Sequence, residues 1–493
     1  MTRHAHSEDG VIVVGNGMAG SRVAEEIHKL SPSTEVTVFG AEPHPAYNRI
    51  LLSEVLAGRA ELEHALLGSP PGIDTRTGVT VMAIDRRHRL VYTACGRAAR
   101  YGTLVLATGS VPLLPPIPGL RPELPGVEVF RTIGDCRRIL DSLGIDATGV
   151  HGARTALVLG GGLLGLEAAR GLAARGVGVT VVHAAAFLME RQLDPAGGQV
   201  LARVLDQLGI RVELDAMTVA VEGAVDADAD ARFRGLRLAD GRELRADLLV
   251  VACGTRPDVS LAAAAGLRVE RGIAVDDAMR TVTDPHVYAV GECAEHRGQT
   301  YGLVAPAWEQ AAVAARHITG ADPAATYTGS RPIMRLKASG IELAAMGDTC
   351  VDDDTAEIVH FSDPTRGTYK KLVVRGGRLT GAILLGDVST AGIVGQLYGR
   401  SAPVPPDRLG LLFAGFGAGS PADPAELPDS AVVCHCNAVT KGAIRACVLA
   451  GAGTVGEVAA RTRATTGCGS CVNAVTGLID ATLRPPAPKA GAA

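Results

Sequence analysis

Apolar runs of β-strand length alternate with helical patterns along the first 300 residues. "VIVVGNGMAGSRVAEEIHKL" (11–30) and "TALVLGGGLLGLEAARGLAARG" (155–176) each pass from an apolar run through glycines into an amphipathic helical pattern. A second apolar run, "EVTVFG" (35–40) or "GVTVVH" (178–183), follows each of them. Strand, helix and strand in this order predict two βαβ units and an α/β fold with parallel sheets.

The glycine spacing in the first βαβ unit predicts a dinucleotide-binding site. In the G-x-G-x-x-G fingerprint, the glycines allow a tight turn, close approach to a pyrophosphate and helix–strand packing. The N-terminus of the following helix offers unpaired N–H groups to the phosphates. An acid about 20 residues further on can bind a ribose hydroxyl pair. The residues assigned to this site are Gly15, Gly17, Met18, Ala19, Gly20 and Glu42.

The second βαβ unit repeats the fingerprint with one change. Gly160, Gly162 and Gly165 occupy the glycine positions, but His183 stands where the acid is expected. Loss of that carboxylate removes the preference for a free ribose 2′-hydroxyl. Arg191 lies too far along the chain to form an obvious 2′-phosphate clamp, so the choice between NADH and NADPH stays open.

Two dinucleotide sites in one chain suggest one tightly held redox cofactor and one exchanging nicotinamide. Three further segments run from a strand into a glycine turn: "YGTLVLATGS" (101–110), "DLLVVACGTRPD" (247–258) and "HVYAVGECAEH" (286–296). Such segments are also ordinary structural turns, so each alone carries little weight. Their order after the fingerprints makes candidate cofactor-binding residues of Thr108, Gly109, Gly254, Gly291 and Glu292.

The cysteines divide into scattered and clustered ones. Six of the ten stand alone and are typical of small buried hydrophobic residues. The other four form C-x-C, 31 intervening residues and C-x2-C, with ligands Cys434, Cys436, Cys468 and Cys471. Four thiolates can hold either a [2Fe–2S] cluster or a zinc ion. The tight C-x-C spacing and the helical pattern after each pair favour the cluster, because helix N-termini stabilise an anionic centre.

Size and charge limit the remaining possibilities. A chain of 493 residues is too long for one core, and a net charge of −4 gives no case for nucleic acid binding. No stretch reaches 18 uncharged apolar residues, so we expect no membrane span and a cytoplasmic location by default. Outside a secretory setting, the cysteines are not expected to form a disulfide framework.

Together, the motifs GNGMAG, ATGS, GGGLLGLEA, ACGTRPD and VYAVGECAE resemble the flavoprotein reductases that have two dinucleotide-binding domains. That resemblance implies FAD at the first fingerprint, NAD(P)H at the second and a return to FAD near residue 291. It also implies that Asn48 and Arg49 lie near the flavin and Glu167 on the nicotinamide side. The chain departs from this family at Glu292, where Asp is usual, and the extra methylene would shift the carboxylate. Thiol–disulfide chemistry at the flavin is not expected, because residues 20–94 contain no cysteine.

Longer segments narrow the resemblance. "FGAEPHPAYNRILLSEVLAG" (39–58) and "LMERQLDPAGG" (188–198) are similar to the flavoprotein half of assimilatory nitrite reductases and to the electron-transfer subunits of assimilatory nitrate reductases. "TGCGSC" (466–471) resembles the [2Fe–2S] domains of bacterioferritin-associated ferredoxin type.

The predicted organisation follows from these motifs and from composition. A segment of short alternating runs over 326–400 predicts a small sheet followed by a helix, and Pro, Gly, Asp and Ser predict a linker before the cysteine pairs. The predicted domains are an FAD domain (10–115 and 245–325), an NAD(P)H domain (116–244), an α+β interface domain (326–412), a linker (413–430), a helical [2Fe–2S] domain (431–482) and a disordered tail (483–493).

The predicted function is transfer of electrons from NAD(P)H through FAD and the cluster to a separate protein. The resemblance names the catalytic subunit of nitrate reductase, or of nitrite reductase, as that partner. The isolated cysteines leave no ligands for a sirohaem centre, so we expect no reduction of the final acceptor by this chain itself. Three alternatives stay open: a complete enzyme that reduces a small substrate, a ferredoxin- or rubredoxin-type reductase of another pathway, and a zinc- or cluster-based regulatory module. A homodimer also stays possible.

Overall fold

The structure is a computed structural model of the whole chain. It describes residues 10–68, 71–144, 152–223, 232–338, 340–351, 354–413, 427–434, 437, 439–466 and 471–483. Among these residues, no helix is both long and apolar enough to cross a membrane.

The first sheet has eight strands and carries the first fingerprint. These strands are β1 (Val11–Val14), β2 (Val36–Gly40), β3 (Asp74–Thr77), β7 (Thr103–Leu106), β18 (Ile273–Val275), β19 (Arg280–Thr281), β20 (Asp284–Ala289) and β21 (Ala294–His296). Their order across the sheet is β21-β18-β19-β20-β7-β1-β2-β3. The parallel centre places β1 between β2 and β7, with Val11 paired to Val36 on one side and to Thr103 on the other.

Helices α1 (Met18–Leu30) and α7 (Val304–Ile318) pack together beside this sheet. Strand β1 is buried along its whole length, as expected for a parallel strand covered on both faces. The smaller elements of this part are helices α2 (Leu52–Leu56) and α6 (Ser260–Ala264) and an antiparallel sheet of β4 (Val81–Asp85), β5 (Leu90–Thr93) and β6 (Ala98–Arg100).

The second sheet is fully parallel and carries the second fingerprint. It is formed by β9 (Val127–Val129), β10 (Thr155–Leu159), β11 (Gly178–Val182), β12 (Arg211–Glu213) and β16 (Leu248–Val251), in the order β12-β11-β10-β16-β9. Helices α3 (Ile133–Leu143), α4 (Leu163–Ala174) and α5 (Pro195–Gln207) accompany it, with a three-stranded sheet of β13 (Thr218–Glu222), β14 (Gly235–Leu238) and β15 (Glu243–Arg245).

Strand β16 corrects one predicted boundary. The sequence placed the end of the NAD(P)H domain at residue 244, yet β16 pairs with β10 in the second sheet, Leu248 opposite Ala156. The chain leaves this sheet only after Val251. It then crosses back through β17 (Thr255–Pro257), which pairs antiparallel with β8 (Ser110–Pro112) from the outgoing crossing.

A third sheet follows, of five antiparallel strands. The strands are β22 (Ile333–Ala338), β23 (Ile341–Gly347), β24 (Glu357–Asp363), β25 (Thr368–Arg375) and β26 (Arg378–Leu385), in the order β22-β23-β26-β25-β24. Helices α8 (Ala391–Arg400) and α9 (Leu409–Leu412) end this part, so the small sheet and the helix predicted for 326–400 are both present. One hydrophobic core joins this sheet to the second one, for example through Leu336 and Leu166.

A small helical unit forms the end of the described chain. Strands β27 (Val432–Cys434) and β28 (Val439–Thr440) precede helices α10 (Lys441–Leu449), α11 (Val455–Thr462) and α12 (Val472–Leu483). The helical patterns predicted after each cysteine pair are therefore α10 and α12. Leu483, placed at the start of the tail by sequence, is still the last residue of α12, and both 484–493 and linker residues 414–426 lie outside the described residues.

Candidate functional site

The predicted nucleotide sites open into one cavity of about 1860 Å³ between the first two sheets. That volume exceeds the ~300–1,000 Å³ of an ordinary small-molecule pocket, as two dinucleotides would require. Predicted residues that line it are Gly15, Gly17, Met18, Ala19, Glu42, Arg49, Thr108, Gly109, Gly160, Gly162, Glu167, Gly254, Gly291 and Glu292.

The first fingerprint shows a separate physical reason for each glycine. Gly15 has φ +112°, and a Cβ there would lie 2.1 Å from the carbonyl oxygen of Ala107. A Cβ at Gly20 would lie 1.8 Å from the carbonyl oxygen of Gly15, so Gly20 serves the packing of α1 and lies outside the cavity wall. A Cβ at Gly17 would meet no atom within 4 Å. The N-terminus of α1 therefore faces open space that a pyrophosphate can occupy.

The second fingerprint has the same geometry. A Cβ at Gly165 would lie 2.0 Å from the carbonyl oxygen of Gly160, whereas one at Gly162 would meet no atom within 4 Å. Gly162 is the N-cap residue of the 12-residue helix α4. This space fits a second pyrophosphate, and Glu167 lines the cavity one turn further along the same helix.

Glu42 holds its predicted position beyond β2, where two side chains orient its carboxylate. The Tyr47 hydroxyl donates to Glu42 Oε2 at 2.8 Å, and Arg49 Nη2 donates to Glu42 Oε1 at 3.2 Å. Burial, the nearby charge of Arg49 and the hydrogen bond to Glu42 act on the Tyr47 hydroxyl, and burial dominates by raising its pKa well above the usual value. Tyr47 therefore stays a hydrogen-bond donor at neutral pH and orients the carboxylate of Glu42 at the cavity wall.

Glu292 also faces the cavity, and two residues hold its longer side chain. The hydroxyl of Ser110 and the Nη2 of Arg131 both donate to Glu292 Oε2. Burial lowers the pKa of the Arg131 guanidinium, although the carboxylate of Glu292 opposes that effect. The carboxylate of the longer Glu292 side chain is thus held by a half-buried arginine that lines the same cavity.

Hydrogen bonds from backbone and hydroxyl groups connect the segments that cross between the first two sheets. The Thr108 hydroxyl donates to the carbonyl oxygen of Asp258 at 2.6 Å, which ties the outgoing chain to the returning one. The N–H of Gly291 donates to Gln310 Oε1 at 2.8 Å, which anchors the Gly291–Glu292 turn to α7. These contacts hold the candidate residues of three distant segments on one wall.

Asn48, which the resemblance implies to be near the flavin, stands between two residues of the cavity wall, Tyr47 and Arg49. Its side chain is buried, lies outside the cavity wall, and accepts a hydrogen bond from the N–H of Ile50 at 3.2 Å. Asn48 thus caps the short 3₁₀ helix Arg49–Leu51 and positions Arg49, which does line the cavity.

A carboxylate that the sequence pattern did not indicate lies close to the second fingerprint. The N–H of Gly161 donates to His183 Nδ1 at 3.1 Å, so the proton of the neutral imidazole is on Nε2. That nitrogen lies 3.1 Å from Glu190 Oε2 and donates to it. Glu190 lines the cavity beside His183 and so provides an acid near the position where the fingerprint lacks one.

Sequence reasoning missed several other wall residues: Tyr47, Ser110, Arg131, Glu190 and Glu309. Burial raises the pKa of Glu309, and the hydroxyl of Ser330 donates to its carboxylate. Tyr47, Ser110 and Glu190 lie inside segments quoted above, but no fingerprint position assigns them a role. Arg131 was missed because its partner Glu292 is distant in sequence. "AWEQ" (307–310) at the start of α7 was the one local signal for Glu309.

Cys253 is the one cysteine among the described residues of the cavity wall. Burial raises its pKa to about 11, so it remains a thiol at neutral pH.

Two of the four predicted cluster ligands are described, and they share one core. Cys434 at the end of β27 and Cys471 before α12 are both buried in the same hydrophobic cluster. Cys436 and Cys468 lie outside the described residues. Val432, at the start of β27, lines the cavity. At about 3.3 Å per strand residue, the first ligand follows the cavity wall by only ~7 Å of chain.

Three family models match successive parts of the chain. Residues 9–317 match the family model described as pyridine nucleotide-disulphide oxidoreductase. Residues 332–397 match the rubredoxin NAD+ reductase C-terminal domain, and residues 432–481 match the BFD-like [2Fe-2S] binding domain. The predicted fold class and the predicted FAD, NAD(P)H and [2Fe–2S] cofactors are thereby confirmed, and the match favours the cluster over zinc.

Individual relatives share nearly the whole chain. The nitrite reductase [NAD(P)H] of Bacillus subtilis is 40% identical over 481 residues, 96% of this chain and 58% of that protein. The assimilatory nitrate reductase electron transfer subunit of the same organism is 40% identical over 476 residues, 94% of this chain and 58% of that protein. The chain thus spans less than two thirds of either relative. Among solved structures, the putidaredoxin reductase–putidaredoxin complex matches with a TM-score of 0.72 at 26% identity, over 82% of this chain and 96% of that one.

Proposed function

The chain belongs to the pyridine nucleotide-disulphide oxidoreductase family, and from that premise we propose that it is an electron-transfer reductase that takes electrons from NAD(P)H and delivers them to a separate catalytic protein. Nitrate reductase of the assimilatory type is the proposed recipient, and nitrite reductase is the second candidate. The observation that carries the proposal is the continuity of the site: both fingerprints and the strand that leads to Cys434 border one cavity.

The residues of the cavity have distinct proposed roles. The N-terminus of α1 and Glu42 would hold the pyrophosphate and a ribose of FAD. The Gly291–Glu292 turn would hold the part of FAD that links its phosphates to its flavin ring. The N-terminus of α4 and Glu190 would hold the nicotinamide nucleotide. When bound, the flavin accepts an electron pair as a hydride and releases single electrons, which a [2Fe–2S] cluster can carry. The side chains therefore bind and orient these groups, and hydride transfer itself requires no protein acid or base.

The two relatives described above motivate the choice of recipient. One of them is named for nitrate reductase and the other for nitrite reductase, at the same identity and over the same part of the chain. Sequence likeness alone therefore does not separate the two recipients. The relative that is named an electron transfer subunit favours a separate catalytic protein as the recipient.

Reconstitution tests the proposal. The purified chain should oxidise NAD(P)H with ferricyanide or cytochrome c but consume neither nitrate nor nitrite. Addition of a purified assimilatory nitrate reductase catalytic subunit should start NAD(P)H-dependent nitrate reduction, and the Cys436→Ser variant should fail to support it. Nitrite turnover with a sirohaem protein instead would establish the second recipient. Turnover of either anion by the chain alone would contradict the proposal.

A further inference from the structure

A buried carboxylate on α1 is paired with the cluster-binding unit. Glu25 is 6% exposed and lies two turns along the helix that begins at the first fingerprint. Its Oε1 lies 3.1 Å from Nη2 of Arg463, the residue that follows α11. Removal of one partner of a buried ion pair leaves the other charge uncompensated. Arg463 therefore balances the charge of Glu25 at this contact.

Arg463 binds two segments of the FAD-binding part at once. The same Nη2 that contacts Glu25 also donates to the carbonyl oxygen of Leu67 at 3.2 Å. Glu25 and Leu67 are separated along the chain by β2, the Arg49–Leu51 turn and α2. One guanidinium thus recognises a composite surface, which we call the α1 face, defined by Glu25 and Leu67.

The backbone of Arg463 is tied to both cysteine pairs. Its carbonyl oxygen accepts a hydrogen bond from Asn437 Nδ2 at 2.5 Å and another from the Thr466 hydroxyl at 2.9 Å. Asn437 directly follows Cys436, and Thr466 stands two residues before Cys468. The guanidinium on the α1 face is therefore linked through this carbonyl to Asn437 and Thr466, which stand close to the two cysteine pairs in the sequence.

The segment at the start of the cluster-binding unit forms part of the cavity wall. Pro428, Ser430, Ala431 and Val432 line it, and Cys434 follows two residues later. With Arg463 on the α1 face, the first cluster ligand is held beside the space assigned to FAD and the nicotinamide nucleotide.

We propose that the α1 face is the docking surface on which the chain's own [2Fe–2S] unit accepts electrons from the flavin, with Arg463 as the positioning residue. The proposal rests on the proposed function, because it presumes that electrons leave the flavin for the cluster. The new part of the proposal is that the transfer from flavin to cluster takes place with the [2Fe–2S] unit on the α1 face, and that the contact of Arg463 with this face controls the transfer. For each NAD(P)H, one hydride, carrying two electrons, reaches the flavin; the electrons then leave singly to oxidised clusters, and one proton is released to solvent.

Two variants test the contact from its two sides. Arg463 has φ +62°, a conformation that glycine adopts readily, so Arg463→Gly removes the guanidinium without straining the turn. Glu25→Gln removes the charge on the other side and lies far from the cysteines in sequence. Arg461→Ala is the matched control, because its guanidinium donates to the carbonyl of Ala450 inside the same unit.

Anaerobic stopped-flow mixing with NADH separates the steps, with flavin bleaching at 450 nm and cluster reduction by freeze-quench EPR as readouts. We expect both test variants to retain full iron content and the wild-type bleaching rate, while cluster reduction slows at least tenfold. The Arg463→Gly/Glu25→Gln double variant should be no slower than the slower single variant, because both remove one contact. Arg461→Ala should match the wild type.

The outcomes against the proposal are equally definite. Cluster reduction at the wild-type rate in both test variants would overturn it, as would an equal slowing of flavin bleaching, which would place the effect at the FAD site. A wild-type protein that bleaches with NADH but contains no iron would instead contradict the proposed function.

Discussion

Gly162 offers the sharpest perturbation of the nicotinamide site, because Gly162→Val adds a side chain only to open space. A Cβ there meets no atom within 4 Å, so the fold has room for it. Replacement of an N-cap glycine by an apolar residue costs about 1 kcal/mol of helix stability. The substitution should therefore leave a folded protein with its flavin.

The same side chain would fill the space in front of the N-terminus of α4. Hydrogen bonds from backbone N–H groups to a phosphate contribute about 1.5–3 kcal/mol each. Displacement of the pyrophosphate from two of them loses about 3 kcal/mol or more, which corresponds to at least ~100-fold weaker NAD(P)H binding. We expect this loss in the apparent dissociation constant and little change in the limiting rate of flavin reduction.

The assay is anaerobic stopped-flow bleaching of the flavin over a range of NADH concentrations, together with a thermal unfolding curve. Gly392→Val is the matched control, since Gly392 is also an open helical glycine but lies outside the cavity wall. Wild-type NADH affinity in Gly162→Val, or a loss of flavin, would refute the assignment of α4 to the nicotinamide nucleotide.

Three further predictions concern the two nucleotide sites and a buried ion pair outside the cavity wall. Gly17→Val should yield folded protein without FAD, since its Cβ also enters open space; a full flavin content after purification would contradict this. Glu190→Gln should lower the ratio of NADH to NADPH efficiency at least tenfold, because the carboxylate repels a 2′-phosphate; an unchanged ratio in steady-state assays would exclude the role. Asp194→Asn should lower the free energy of unfolding at pH 7 by about 3–5 kcal/mol, measured by urea titration, because it leaves Lys371 buried without its anion.

The pH dependence of the last variant follows from the contacts of Asp194. Burial raises the pKa of this carboxyl, but hydrogen bonds from Lys371, the N–H of Gly197 and Tyr369 outweigh burial and lower it. A lowered pKa in the folded state stabilises the protein above the unfolded value of about 3.9, and that contribution is lost as the pH falls through the folded value. The stability gap between wild type and Asp194→Asn should therefore narrow below about pH 4, and a constant gap would contradict this linkage.

Features that depend on the spacing of nearby residues could be predicted from the sequence. A fingerprint encodes a turn, a helix N-terminus and a close backbone contact within six residues, so the spacing alone assigns individual roles to Gly15, Gly17 and Gly20. The helices after each cysteine pair could be predicted for the same reason, because their periodicity is local.

Contacts between distant segments could not be predicted in this way. Glu292 is held by Ser110 and Arg131, which both stand much earlier in the sequence. No pattern along the chain relates these positions to Glu292. Glu190 restores a carboxylate beside His183 from a turn after β11 instead of from the strand end, so the spacing rule missed it. The boundary at residue 244 was misplaced because strand β16 joins a sheet whose other strands precede it.

The central claim is that electrons from NAD(P)H reach the cluster through the flavin of the same chain. Anaerobic titration with NADH, followed by optical and EPR spectra, tests it most directly. We expect about 1.5 equivalents of NADH per chain, two electrons for FAD and one for the cluster, with the EPR signal of a reduced [2Fe–2S] centre at the end point. Bleaching that ends at about one equivalent, with no such signal until dithionite is added, would contradict it.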